Sequence, residues 1–106
     1  MPGLTIIVAT ADPARFGAAL EVAAANAALG HPTRLFLQSA AVPLLRKLPN
    51  PPELLGEAIA LGASVTVCQS GLAAVGMSAM ALPAGVETGG LVELLSHLGE
   101  DRLLMA

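Results

Sequence analysis

Ser64-Val65-Thr66-Val67-Cys68-Gln69-Ser70-Gly71 is the stretch on which the reading of this chain turns. Residues 64–68 are β-branched and apolar in the way of a short strand, and the chain then changes at once to small and polar residues that open a helical stretch from Ser70 to about Met80, interrupted by Gly76. A strand that passes straight into a helix is half of a parallel crossover unit. Upstream, Thr33-Arg34-Leu35-Phe36-Leu37 follows the His31-Pro32 turn as a second strand, and Ser39 is placed to cap a short helical stretch, Ala40–Leu48. Pro49-Asn50-Pro51-Pro52 then breaks the chain, and Glu53–Leu61 reads as a helix with Leu55, Ala58 and Ile59 inward and Gly62 at its end.

Further upstream, Leu4–Thr10 is a nearly continuous apolar run, the pattern of a strand covered on both faces. Asp12-Pro13 reads as N-cap and first position of an Ala-rich helix that puts Phe16, Leu20, Ala23, Ala24 and Ala27 on one face and stops at Gly30. Downstream, Leu82-Pro83-Ala84-Gly85 reads as a turn. The last helix, Leu91–Leu98, starts behind Gly89-Gly90 and stops at Gly99, and Arg102–Ala106 reads as a closing strand. The alternation β-α-β-α-α-β-α-α-β predicts one domain over residues 1–106: an α/β three-layer sandwich, flavodoxin-like, with a mostly parallel sheet and right-handed crossovers.

Composition narrows the function. The 106 residues are 55% apolar, 12% charged and 2% aromatic. Such a chain buries enough surface to fold without disulfides or metal, and it is too apolar for disorder. Five basic residues against eight acidic ones, with Arg46-Lys47 the one basic pair, leave no electrostatic footprint for nucleic acid or an anionic membrane. The 29 uncharged residues of Ala58–Val86 are long enough to span a bilayer, but they carry Gly62, Gly71, Gly76, Pro83 and Gly85 and change period twice, so no membrane span is expected. The opening Met-Pro-Gly-Leu lacks a basic signal region, and the cytoplasm is the expected compartment. So apolar a surface with so few charges points to self-association.

In a parallel sheet reactive groups collect at the carboxyl ends of the strands. Three segments sit there: Thr10-Ala11-Asp12, Gln38-Ser39 and Cys68-Gln69-Ser70-Gly71. None carries a Gly-rich dinucleotide or phosphate-binding pattern, and no cofactor is expected. Cys68, the one cysteine, is the informative residue, because its sulfur falls at a helix start where backbone amides and the helix dipole favour a thiolate. The dipole alone contributes about 0.3–1 kcal/mol, less than the roughly 1.4 kcal/mol that moves a pKa by one, so hydrogen bonds from the Gln69, Ser70 or Gly71 amides or a basic group from a neighbouring subunit are needed for strong activation. A lone cysteine at a strand end is also, commonly, a small buried hydrophobe. With one cysteine there is no intrachain disulfide exchange. His31 and His97, at a turn and late in a helix, do not make a metal site with one cysteine and read as surface histidines. Asp12 reads as a cap, Thr88 as a cap for the last helix after Glu87, and Arg15 lies one turn into the first helix where it faces solvent or an anion.

The block from Val67-Cys68-Gln69-Ser70-Gly71-Leu72-Ala73-Ala74-Val75-Gly76 through Leu82-Pro83-Ala84-Gly85-Val86-Glu87-Thr88-Gly89-Gly90-Leu91-Val92-Glu93-Leu94-Leu95 to the terminal Asp101-Arg102-Leu103-Leu104 resembles the DsrE/DsrF-like family, including its TusD-type sulfur-relay subunits. The resemblance extends over the opening strand, the Ala-rich helix and the Gly30-His31-Pro32 turn. It implies a DsrE-like α/β fold, a homo-oligomer (a homotrimer or homohexamer), and a cytoplasmic sulfur carrier or sulfurtransferase. In that reading Cys68 is the catalytic residue that accepts sulfane sulfur as a persulfide from a donor protein and passes it to an acceptor. The basic residues that often follow the cysteine in relay subunits are replaced here by Ala73-Ala74-Val75. Two other readings stay open on the residues alone: an assembly subunit with an inert, buried Cys68, and a small-ligand binder using the same sheet end.

Overall fold

The structure is a computed structural model and describes residues 2–47 and 53–106. Among the described residues, five strands form one sheet in the order β4-β3-β2-β1-β5, every neighbouring pair parallel: β1 (Leu4–Val8), β2 (Thr33–Leu37), β3 (Ser64–Cys68), β4 (Val86–Gly89) and β5 (Arg102–Met105). The expected α/β class therefore holds, with a sheet that is wholly rather than mostly parallel.

Helix α1 (Pro13–Ala28) forms as its sequence dictates. The Asp12 carboxylate accepts from the Ala14 and Arg15 amides, at 2.9 and 3.4 Å, and Pro13 supplies a first position with no N–H to orphan. Its inward residues Phe16, Leu20, Ala23, Ala24 and Ala27 are all buried. Phe16 and Leu20 meet Ile6, Val8, Leu35, Leu37, Val65 and Val67 from one face of the sheet in the main core. Each fully buried side chain of this size contributes about 1.5–3 kcal/mol. Ala24 and Ala27 instead form a small cluster with Ala58 of α3 (Glu53–Ala60) and Ala63, which lets the two helices pack closely side by side. Between β2 and α3 lie a 3-10 turn, Ser39–Ala41, and a short helix α2 (Pro43–Lys47). Leu48 and the expected break at Pro49-Asn50-Pro51-Pro52 lie outside the described residues.

Four expectations need correction. The helix expected over 70–80 stops early: α4 spans Gln69–Ala74, followed by Gly76 at φ +71 and a separate 3-10 turn at Ala79–Ala81. The left-handed backbone at Gly76 ends the helix, a conformation that glycine adopts without the side-chain clash. Val86–Gly89 is a strand, not a lead into the last helix, and it makes the sheet five-stranded. Ser39 does not cap a helix through its side chain; Gln38 holds that position without a side-chain bond. Thr88 likewise caps nothing: it lies in β4, and α5 (Leu91–Ser96) starts from Gly90.

The return from β4 to β5 fixes the shape of the site. α1 and α4 lie on one face, where Leu72 joins the core of Phe16 and Leu20. α5 lies on the other: Glu93, Leu94 and His97 line a cavity of about 380 Å³ with Arg34, Phe36, Ser64 and Thr66, the residues that alternate with the core-facing set, and Arg34 Nη1 donates to the His97 carbonyl at 3.2 Å. A right-handed crossover that runs backwards across the sheet must pass over that opposite face. β5 then lands beyond β1, tied to it by Asp101, which accepts from the Gly3 amide at 2.9 Å and the buried Thr5 hydroxyl at 3.2 Å. No helix among the described residues is long and apolar enough to cross a membrane.

Candidate functional site

β3 leaves the sheet toward α4 on one face and its neighbour β4 leaves toward α5 on the other. Two adjacent strands whose exits diverge open a crevice at their carboxyl ends, the place where parallel sheets collect ligands. Cys68 is the last residue of β3, in register with Gly89 at the end of β4, so it stands at that crevice beside the bare backbone of Gly89-Gly90.

Cys68 doubles as the N-cap of α4, with extended backbone (φ −63, ψ 118), and its sulfur takes the place that a serine or aspartate oxygen holds in ordinary caps. Sγ accepts from the Gly71 amide at 3.5 Å and lies 3.4 Å from Ser39 Oγ. Ser39 reaches it because β2 and β3 are adjacent and in register through Leu37 and Val67, which brings the residues just beyond both strands together. The approach is close: a Cβ on Gly71 would lie 2.6 Å from Ser39 Cα, so this position of α4 has no room for a side chain.

The thiol is free and partly accessible. Its pKa is lowered from the ordinary value, first by the Ser39 hydroxyl and then by the Gly71 and Ser70 backbone, against an opposing push from burial. A thiolate can only accept, so in that form the Ser39 hydroxyl donates to sulfur. The amides of residues 69–71 were foreseeable from the strand-to-helix junction. The Ser39 contact is not legible in the sequence, although Gln38-Ser39 fall, as expected, at the carboxyl end of the sheet; the adjacency of β2 and β3 is the signal that finds it.

The other sequence candidates lie elsewhere. Asp12 caps α1 and meets Arg15 at 3.9 Å, both exposed. His31 precedes the central strand β2, at the opposite, amino end of the sheet, with Nδ1 3.2 Å from Asn26 Oδ1. His97 follows α5, with Nδ1 2.9 Å from the Glu93 carbonyl oxygen. Glu87 and Thr88 are exposed on β4. Among the described residues no cluster of three or more His, Cys, Asp or Glu side chains is arranged to hold a metal ion. The arrangement that remains supports thiolate chemistry at Cys68, with hydroxyl and amide donors rather than a charged partner.

Comparisons with known proteins agree with this architecture. The chain superimposes on the YchN protein from E. coli with a TM-score of 0.82 at 28% identity, covering 100% of both chains. A protein of unknown function from Methanobacterium thermoautotrophicum matches with a TM-score of 0.83 at 19% identity, again over 100% of both. A conserved protein of unknown function from Bacteroides thetaiotaomicron matches with a TM-score of 0.72 at 17% identity, over 96% of this chain and 94% of that one. At these lower identities the likeness is one of fold. No curated protein matches the sequence. The sequence profile of the DsrE/DsrF-like family matches residues 3–105, nearly the whole chain, and the protein belongs to that family.

Proposed function

We propose that this protein is a sulfur carrier of the sulfur-relay type, which takes sulfane sulfur from a donor as a persulfide on Cys68 and passes it to an acceptor thiol. The observation that carries this reading is the sulfur of Cys68 itself: free, partly accessible, at the crevice between β3 and β4, and hydrogen-bonded in a way that favours the thiolate. A thiolate is the form that attacks a donor persulfide, and a low-pKa thiolate is also a good leaving group when sulfur is handed on. Membership of the DsrE/DsrF-like family supports the same reading. A single cysteine suits a carrier working in a reducing compartment such as the cytoplasm, where a donor and an acceptor protein supply the other thiols.

The test is intact mass after incubation with inorganic polysulfide. Wild type gains one sulfur atom, a reducing agent removes it, and Cys68→Ser gains none. Wild type without an adduct, or a serine variant that gains it equally, ends the carrier reading.

A further inference from the structure

A carrier must both take sulfur and give it up, and the surroundings of Cys68 do not treat the two steps alike. Two groups meet Sγ: the Gly71 amide, which donates at 3.5 Å, and the Ser39 hydroxyl at 3.4 Å, which is the donor whenever Sγ carries no proton, as in the thiolate and the persulfide. One close contact holds the pair together, since the Cα of Gly71 packs where any Cβ would meet Ser39 Cα at 2.6 Å. Both donors therefore address the inner sulfur, the atom bonded to the protein, and their positions are set by the backbones of two different elements.

Resting on the carrier reading, we infer that Ser39 promotes the release of sulfur from Cys68 rather than its capture, by stabilising the Cys68 sulfur as it leaves the persulfide. In release, an acceptor thiolate attacks the outer sulfur of the Cys68 hydropersulfide. A bond forms between the acceptor and that outer sulfur, which keeps its proton. The bond between the outer sulfur and Sγ breaks, and its electron pair departs on Sγ as the Cys68 thiolate. The acceptor sulfur is oxidised to the persulfide level and Cys68 is reduced to the thiolate, so no further reagent is needed.

Before attack, Sγ is a divalent, neutral sulfur and a weak acceptor. As the bond breaks it gains charge, and hydrogen bonds to a charged sulfur are stronger than those to a neutral one. The Ser39 hydroxyl thus contributes more to the transition state than to the loaded ground state, which accelerates the step. In capture the order reverses: the thiolate starts out hydrogen-bonded and must give up part of that stabilisation to attack, so at a pH where it is fully ionised Ser39 slows the attack or leaves it unchanged.

Wild type, Ser39→Ala and Ser39→Thr are loaded with inorganic polysulfide to one added sulfur by intact mass, then mixed with excess mercaptoethanol while the loss of that sulfur is followed in time. Ser39 is exposed, so its replacement leaves the core untouched. The expected result is release about 3- to 10-fold slower from Ser39→Ala, with Ser39→Thr, which keeps the hydroxyl, returning to the wild-type rate. Alkylation of the unloaded proteins by iodoacetamide, well above the pH at which a free thiol ionises, is equal in Ser39→Ala or faster than in wild type. Release from Ser39→Ala within twofold of wild type, a threonine variant as slow as alanine, or alkylation slowed in parallel with release each overturns the role given to Ser39 while leaving a loading protein a carrier. A wild type that takes up no sulfur overturns the carrier reading, and this inference with it.

Discussion

At Cys68 a sulfur stands where most helices place a serine, threonine, aspartate or asparagine oxygen, and the neighbouring groups tune its ionisation. The Ser39 hydroxyl and the Gly71 and Ser70 backbone favour the charged form and outweigh the opposing effect of burial. The folded thiol ionises at a lower pH than the unfolded one, so this site adds stability above the unfolded thiol pKa, and that contribution is lost as the pH falls through the folded value. The pH profile of iodoacetamide labelling reads the same property: its midpoint lies below that of an unstructured cysteine and moves up in Ser39→Ala, which loses the largest of the lowering contacts. A midpoint that does not move contradicts the assignment. Gly71→Ala is expected to cost about 1–3 kcal/mol in a denaturant titration, because the added carbon meets backbone rather than a movable side chain. Cys68 was legible in the sequence as the junction of an apolar strand and a helix. Ser39 was not, because it lies 29 positions away and only the register of β2 on β3 brings it near.

Among the elements, those with strong local signals were legible and those made by pairing were not. α1 carries its own instructions, a capping carboxylate, a proline start and an apolar face with helical spacing, and it forms as read. Asp12→Ala is expected to lower stability by about 0.5–2 kcal/mol, measured by denaturant titration, with labelling of Cys68 unchanged. β4 gave no such signal. Val86-Glu87-Thr88-Gly89 is four residues long, largely polar, and becomes a strand by pairing with β3 at the sheet edge. α4 ended early for the converse reason: residues 70–80 have the composition of a helix, but Gly76 turns the backbone to φ +71. Both misreadings fall next to the cysteine, where the chain departs from regular alternation to open the crevice.

For the whole molecule, the apolar excess noted from composition has an address. On the face carrying α5, Val92 is 85% exposed and Met105 58%, with Leu95 and Leu103 also outward. Helix α5 begins two residues after Gly89, the partner of Cys68 in the register, so Val92 borders the crevice, while Leu103 and Met105 lie on β5 at the far edge of the sheet. Patches of this kind mark contact surfaces. We therefore expect light scattering to give a mass that is a multiple of the 10.6 kDa chain, and Val92→Glu to reduce it. A monodisperse monomer would contradict the expectation. The class of the fold and the parallel sheet were legible from the alternation of strands and helices. The strand order was not, because nothing local distinguishes a closing strand that lands beside β3 from one that lands beside β1.

That landing place has a consequence for how the chain assembles. β1 is paired on one side by the nearby β2, whereas its other edge is covered by residues nearly a hundred positions downstream, where Asp101 reaches the Gly3 amide across a sequence separation of 98. Non-local pairing of this kind is slow to form, so it is expected to follow the more local pairing of β1 with β2 across α1. With every residue of β5 exposed, it is expected to dock last and to detach first. A parallel ladder from Leu4–Arg102 to Ile7–Met105 and the Asp101 carboxylate hold β5 on β1, so β5 borders the sheet at the edge far from the crevice, and its release is expected to uncover the edge of β1 while leaving Cys68 in place.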